Sequence, residues 1–274
     1  MSPLARNGAH WLSWRDHGQG EPLLLIMGLG GSSLAWTRLL PHVSAGHRAI
    51  VMDNRGTGDS DRVSGPLTMA EMVGDVVAVL DAAGEESAHV MGVSMGGMVA
   101  QHLALDHRER VRSLVLACTT AVGSRGRPPW RLLASSALRP VLGPARTWDL
   151  VTQTLYAPHT IREHPERIRE DFRIRGEATP SATFLAQMAA IARHDTRARL
   201  RELAGLGVTI VHGKQDALVP PARATELAAA IPAAQLVMID RCGHMLTTDA
   251  ERDSAAAVLA HLDRHRSPPS SLAA

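Results

Sequence analysis

The sequence predicts an α/β fold: a mostly parallel sheet wound with helices on both faces. Three observations predict it. Short runs, apolar throughout rather than alternating, recur along the chain, as strands covered on both faces require. Amphipathic stretches of helical period separate these runs, the alternation expected of a wound parallel sheet. The chain is also long enough, at 274 residues with 45% apolar, to bury one large core.

In chain order, "HWLSWRD" (10–16) alternates and reads as an edge strand. "LLLIM" (23–27), "RAIVMD" (48–53), "AHVMGV" (88–93), "RSLVLACT" (112–119), "VTIVHG" (208–213) and "QLVMID" (235–240) read as buried strands. "SLAWTRLLPHV" (33–43) reads as a helix with Ser32 and Ser33 as candidate caps. "TMAEMVGDVVAVLDAAG" (68–84) opens on a Thr68-x-x-Glu71 capping box and stops at Gly84. "MGGMVAQHLALDHRERV" (95–111), "PARATELAAAI" (221–231) and "DAERDSAAAVLAHLDRH" (249–265) complete the helices. From Thr120 to Leu206 no convincing strand occurs, whereas an ordinary connection takes roughly 2–6 residues. Three or four short helical patterns lie there between Pro- and Gly-rich breaks. The expected organisation is a core of 1–120 and 207–266, a helical insertion of 121–206 and a disordered tail of 267–274.

A formal net charge of +2 with no basic stripe argues against a nucleic-acid partner. Two cysteines are too few for a disulfide framework. The N-terminus has no apolar signal region, and "PLLLIMGLGG" is too short to span a bilayer. The chain therefore reads as a cytoplasmic protein without a membrane partner, monomeric or homodimeric.

The chemistry starts from Gly92-Val93-Ser94-Met95-Gly96, a Gly-x-Ser-x-Gly turn between a strand and a helix. Glycine suits positions where a Cβ would strike neighbouring strands, and the following helix aims its first N–H groups at developing negative charge. A tight turn around an inert serine is the competing explanation. A serine hydroxyl needs a base. Fourteen histidines are present, so position must choose among them. Ligands sit beyond the C-terminal ends of parallel strands. His244 follows the last strand by four residues, behind Cys242-Gly243, and fits. His89, His102 and His212 are expected to be structural, while His194 in the insertion could face a substrate. Asp216, three residues past its strand, can orient the imidazole. Asp53 is expected to shape its own loop, and Asp240 and Asp249 to serve a turn and a helix cap. For the oxyanion, the backbone N–H of Met95 and of Leu29 in "MGLGGSS" are the candidate donors. No Gly-Lys-Ser/Thr follows that loop, which excludes a phosphate cradle.

"MGLGGSS", "DNRGTGDSD", "GVSMGGMVAQ", "HGKQDALVP" and "GHMLTTD", in that order, resemble the α/β-hydrolase superfamily over nearly the whole chain. Within it the chain is similar to small bacterial serine esterases and lactonases, such as 3-oxoadipate enol-lactonase, anthracycline methylesterases and cofactor-free haloperoxidase-like enzymes. The resemblance implies an eight-stranded, mostly parallel sheet with a helical cap inserted after strand 6. It also implies a Ser94, Asp216, His244 triad, in the chain order of the superfamily, and no metal or organic cofactor. The expected substrate is a small to medium apolar carboxylic ester or lactone, cleaved through an acyl-enzyme on Ser94. Gly28, Trp130, Trp148, Tyr156, Phe184 and Met188 are its candidate contacts, with Leu132, Leu133, Leu138, Leu155 and Ile191 as further members of an apolar roof. One departure is Met27, where the superfamily often has His. The charged run 161–177 reads as a solvated helix face. Rival readings keep the fold but change the reaction, to a thioesterase, cyclase, lyase or C–C hydrolase acting on a natural-product intermediate, or to a non-enzymatic ligand binder.

Overall fold

The computed structural model describes residues 2–123, 139–175 and 179–266. Its strands are β1 (Leu4–Asn7), β2 (His10–His17), β3 (Glu21–Ile26), β4 (His47–Met52), β5 (Ala88–Val93), β6 (Val111–Ala117), β7 (Gly207–Gly213) and β8 (Gln235–Ile239). They form one eight-stranded sheet in the order β1-β2-β4-β3-β5-β6-β7-β8. β2 runs antiparallel to β1 and β4, and every other pairing is parallel. The helices are α1 (Leu40–Val43), α2 (Met69–Ala82), α3 (Met95–Asp106), α4 (Arg139–Leu155), α5 (Pro158–Glu163), α6 (Pro165–Arg175), α7 (Ser181–Arg193), α8 (Ala222–Ala230), α9 (Leu246–Asp249) and α10 (Glu251–Arg264).

Why the central strands are apolar throughout is visible in how they share their side chains. Successive strand residues point to opposite faces. Leu24 and Ile26 of β3, Val90 of β5 and Leu114 and Leu116 of β6 enter one core, with residues of α2, α3 and α8. Leu23 and Leu25, Met91 and Val93, and Val115 and Ala117 enter the other, with Val43 of α1 and Val258 and Leu262 of α10. The middle positions of β3 to β7 are buried between the two layers, so a polar side chain there needs a partner.

Several elements depart from the sequence expectation. The edge strand is β1, four residues long, and β2 lies inside it. The stretch 33–43 is a 3₁₀ turn, Ser33–Trp36, followed by the single-turn α1; Ser32 stands at the cap position with no side-chain bond. Pro41 near the start of α1 has no N–H with which to continue a longer helix. Helix α3 stops at Asp106, and a 3₁₀ turn at Arg108–Arg110 precedes β6. The Thr68–Glu71 capping box is present, and Gly84 ends that segment at φ +75°.

Helices α4 to α7 occupy the connection between β6 and β7, and its two ends meet. Val122 bridges Asp195, Gly123 N–H donates to the His194 carbonyl at 2.7 Å, and Thr196 N–H donates to Ala121 at 2.9 Å. The run 161–177 is not a uniformly solvated face. Ile168 and Phe172 pack into the second core, and Asp171 is buried against Arg38 at 3.2 Å. No described helix is long and apolar enough to cross a membrane.

At the N-terminal ends of the strands lies a buried polar cluster. Ser113 Oγ is hydrogen-bonded to His89 and to His261, both at 2.7 Å, and His261 reaches Thr209 at 2.8 Å. His47 stands edge-on to His89, and His265 stacks beside His261.

Candidate active site

Ser94 sits between β5 and α3 at φ 56°, ψ −119°, a conformation that side chains rarely adopt. Such a residue costs about 1–3 kcal/mol and persists only where its surroundings impose it. Here Ser94 N–H donates to Ala117 at 2.9 Å and Thr119 Oγ1 donates to the Ser94 carbonyl at 2.7 Å. The glycines are explained by crowding. A Cβ on Gly92 would run into the Gly96 carbonyl, and one on Gly96 into the Ile26 carbonyl. A Cβ on Gly97 would come within 2.7 Å of Thr119. Beyond Ser94 the buried Met95 opens α3, so its N–H is among the first-turn donors without an intrahelical partner.

His244 and Asp216 are brought together from the loops after β8 and β7. His244 Nδ1 lies 2.7 Å from Asp216 Oδ2, both side chains buried. The other Asp216 oxygen accepts from the N–H groups of Leu218 and Val219, at 2.9 and 2.8 Å. The carboxylate is thereby fixed from both sides, which orients the ring. His212, expected to be structural, bonds the Val219 carbonyl at 2.9 Å, and burial holds its pKa down.

The His244 loop is braced from outside. The N–H groups of His244 and Met245 both donate to the Leu155 carbonyl at 2.9 Å. Asp249 is not a helix cap. It is buried, accepting from Gly243 N–H at 2.7 Å and from Ala157 N–H at 2.9 Å, and burial raises its pKa. Asp53 does shape its loop, accepting from the N–H groups of Ser33 and Asp59. Cys118 lies within reach of Asp216 and His244, and burial pushes its thiol pKa up. Cys242 is equally buried and raised.

Opposite the serine runs the turn after β3. Gly31 N–H donates to the Gly28 carbonyl at 3.0 Å, and Gly30 takes φ +66°. A Cβ on Gly28 would stand 3.0 Å from Ser94 Cβ, tight enough that the serine would have to give way by a few tenths of an ångström. Two side chains of the helical segment grip Gly30. Its N–H donates to Gln187 Oε1 at 2.8 Å, and its carbonyl accepts from Thr179 Oγ1 at 2.7 Å.

Ser94 and His244 open on one cavity of about 380 Å³. Gly28, Leu29, Phe184 and Met188 line it, as do Leu155 and Ile191. The wall is apolar apart from Ser94, Thr120, His244 and Arg223, whose guanidinium pairs with Glu226 at 2.7 Å. Four methionines, Met27, Met98, Met188 and Met245, give the wall adaptable thioether surfaces. Two expected contacts lie elsewhere. Tyr156 is buried in the second core and its hydroxyl donates to Asp171 at 3.2 Å, so it fastens α6 rather than roofing the cavity. Trp148 is 38% exposed and stacks on Phe172 at 4.7 Å. Trp130, Leu132, Leu133 and Leu138 lie outside the described residues. His194, expected as a possible substrate contact, is buried between His102 and the Thr120 carbonyl, with its pKa lowered to about 4 by burial. The sequence reading did not single out Gln187, Thr179 or Arg223, since none stands in a recognisable motif.

The geometry has counterparts among known proteins. A family model described as the alpha/beta hydrolase fold matches residues 21–250. The RutD protein of Azorhizobium caulinodans, provisionally named a carbamate hydrolase, is 34% identical over 247 residues, spanning 88% of this chain and 91% of that one. A thermophilic esterase from Thermogutta terrifontis matches with a TM-score of 0.86 at 26% identity, over 97% of this chain and 100% of that one. A hydrolase from Pseudomonas aeruginosa PA01 matches at 0.83 and 28% identity, over 95% and 98%.

Proposed function

From the premise that this chain belongs to the α/β-hydrolase family, we propose that it is a serine hydrolase cleaving small to medium apolar carboxylic esters or lactones through an acyl-enzyme on Ser94. The observation that carries this reading is the Asp216–His244 pair, 2.7 Å apart, opening on the same apolar cavity as a serine held at positive φ. His244 takes the Ser94 proton as Oγ attacks the carbonyl carbon. Asp216 holds the ring and stabilises the imidazolium. The N–H groups of Leu29 and Met95 receive the oxyanion. His244 returns its proton to the leaving alkoxide, or to the ring oxygen of a lactone. It then deprotonates a water, whose attack releases the acid and regenerates Ser94. Residues 121–206 act as the cap, which contributes Leu155, Phe184, Met188 and Ile191 to the apolar wall. The likeness to a protein named a carbamate hydrolase adds carbamates to the candidate substrates, since the same attack on an acyl carbon applies.

The test is labelling with a fluorophosphonate, followed by intact mass and peptide mapping. One adduct on Ser94, lost in His244→Ala, is the expected result and justifies an ester, lactone, carbamate and thioester panel. A folded protein that takes no label would overturn the reading in favour of a binder or a non-hydrolytic enzyme. Turnover in ¹⁸O-labelled water separates hydrolysis, which incorporates the label, from lyase or cyclase chemistry, which does not.

A further inference from the structure

The turn Gly28–Gly31 is made almost entirely of glycine, and glycine populates positive and negative φ with similar ease. Such a backbone does not by itself hold a peptide group in one orientation, yet an oxyanion donor acts only if it is aimed before the charge develops. Inside the turn, the Gly28 carbonyl is taken by Gly31 N–H. Because the peptide is planar and trans, the Leu29 N–H points the opposite way from that carbonyl. Leu29 and Ser94 line the same cavity.

What keeps the next two peptides still comes from 149 and 157 residues further along the chain. Gln187 on α7 has no exposed surface. Its Oε1 accepts from Gly30 N–H at 2.8 Å and its Nε2 donates to the Arg55 carbonyl at 3.2 Å. The two partners dictate the amide orientation, since a flip would set donor against donor and acceptor against acceptor. Arg55 is itself immobilised by Asp75, with Nε 3.0 Å from the carboxylate. Thr179 closes the other side of Gly30, and a Cβ on Gly30 would lie 2.9 Å from its hydroxyl.

We propose that Gln187, together with Thr179, is a positioning residue of the reaction: from the helical segment it pins both peptide groups of Gly30, so that the adjoining Leu29 N–H stays aimed at the oxyanion. The proposal rests on the acyl-enzyme reading above. It gives the segment between β6 and β7 a part in stabilising the transition state as well as in shaping the pocket.

The experiment compares wild type, Gln187→Met, Gln187→Glu and Thr179→Val in p-nitrophenyl butyrate hydrolysis and in inhibition by a trifluoromethyl ketone, whose tetrahedral adduct places an oxyanion at the same donors. Loss of a whole oxyanion donor costs about 10²–10³ in kcat, so a misaimed one is expected to cost about tenfold or more. In Gln187→Met, kcat falls by that factor with KM within about twofold, and the ketone's inhibition constant rises in proportion to the fall in kcat/KM. Gln187→Glu, which keeps an acceptor for Gly30 N–H but sets its second oxygen against the Arg55 carbonyl, recovers only part of kcat. Thr179→Val shows the same pattern more weakly and decides the matter if Gln187→Met does not fold. Unchanged kcat in folded Gln187→Met and Thr179→Val, with only the melting temperature lowered, would overturn the proposal and leave the acyl-enzyme reading standing. A wild type that neither turns over esters nor labels at Ser94 would instead overturn that reading.

Discussion

With Ser94 as the proposed nucleophile, activity and stability pull in opposite directions at this residue. Its φ of 56° carries a cost that glycine does not feel. Ser94→Gly is therefore expected to abolish turnover and to raise unfolding free energy by about 1 kcal/mol, read from a urea denaturation midpoint. Gly96→Ala is the counterpart: its methyl meets the Ile26 carbonyl, and the variant should lose several kcal/mol or fail to fold, on the order of an overpacked core. At this scale the sequence was legible where a residue carries its own signature. Ser94 is announced by flanking glycines, and Asp216 and His244 by their distance past strand ends. Gln187, Thr179 and Asp249 carry no such mark. Each acts by bonding backbone groups of a distant segment, and side-chain-to-backbone bonds across the fold leave no periodicity.

Among the elements, the helices between β6 and β7 hold the site as well as cover it. Asp249 joins the start of α5 to the His244 loop, and Asp249→Ala strands two buried N–H groups, which should cost about 2–6 kcal/mol. Denaturation with and without a covalent Ser94 adduct would measure it. The first turn of α8 contributes Arg223, a cation in an otherwise apolar wall. Esters bearing a remote carboxylate are expected to lose about tenfold in kcat/KM in Arg223→Ala, with neutral esters of equal length unaffected, the size of a hydrogen bond to a charged group. Long elements with a single clear period, such as α2 with its capping box, were legible. Short ones were not: β1 has four residues with no pattern to read, and the segment 33–43 looks helical until Pro41 breaks it. Tyr156 and Trp148 were misplaced because apolar spacing on a short helix does not say which of two cores the face meets.

The whole molecule separates its chemistry from a second buried polar layer at the other end of the strands. Burial lowers the pKa of His89 to about 4 and of His261 to about 3, and lowers His47 and His265 as well. Unfolded histidines titrate near 6.5, so below that pH the unfolded chain binds protons that the folded one refuses. The contribution of His89 and His261 is therefore full above about pH 6.5 and is lost as pH drops toward 4, by up to about 1.4 kcal/mol per unit for each of these two rings, with His47 and His265 acting in the same direction. Urea midpoints between pH 6.5 and 5 should show this slope, and His261→Gln should make it shallower. The parallel sheet was legible at this scale because the central strands carry apolar residues on both faces, in one core and in the other. The histidine layer was not, since His47, His89 and His261 lie far apart in sequence and meet only when β4, β5 and α10 assemble.

The grip of Leu155 on the His244 loop and of Gln187 on the glycine turn also bears on how such a segment can be inherited. Phe184, Met188 and Ile191 face the cavity, and exchanges there reshape its wall without removing either grip. The Gln187 grip depends on its side chain and the Leu155 grip on the path of the backbone, and each completes backbone supplied by the other part of the chain. A chimaera that imports this segment from a relative should keep its catalytic rate only when the matching turn and histidine loop travel with it, so that new specificities arrive as linked blocks rather than as single exchanges.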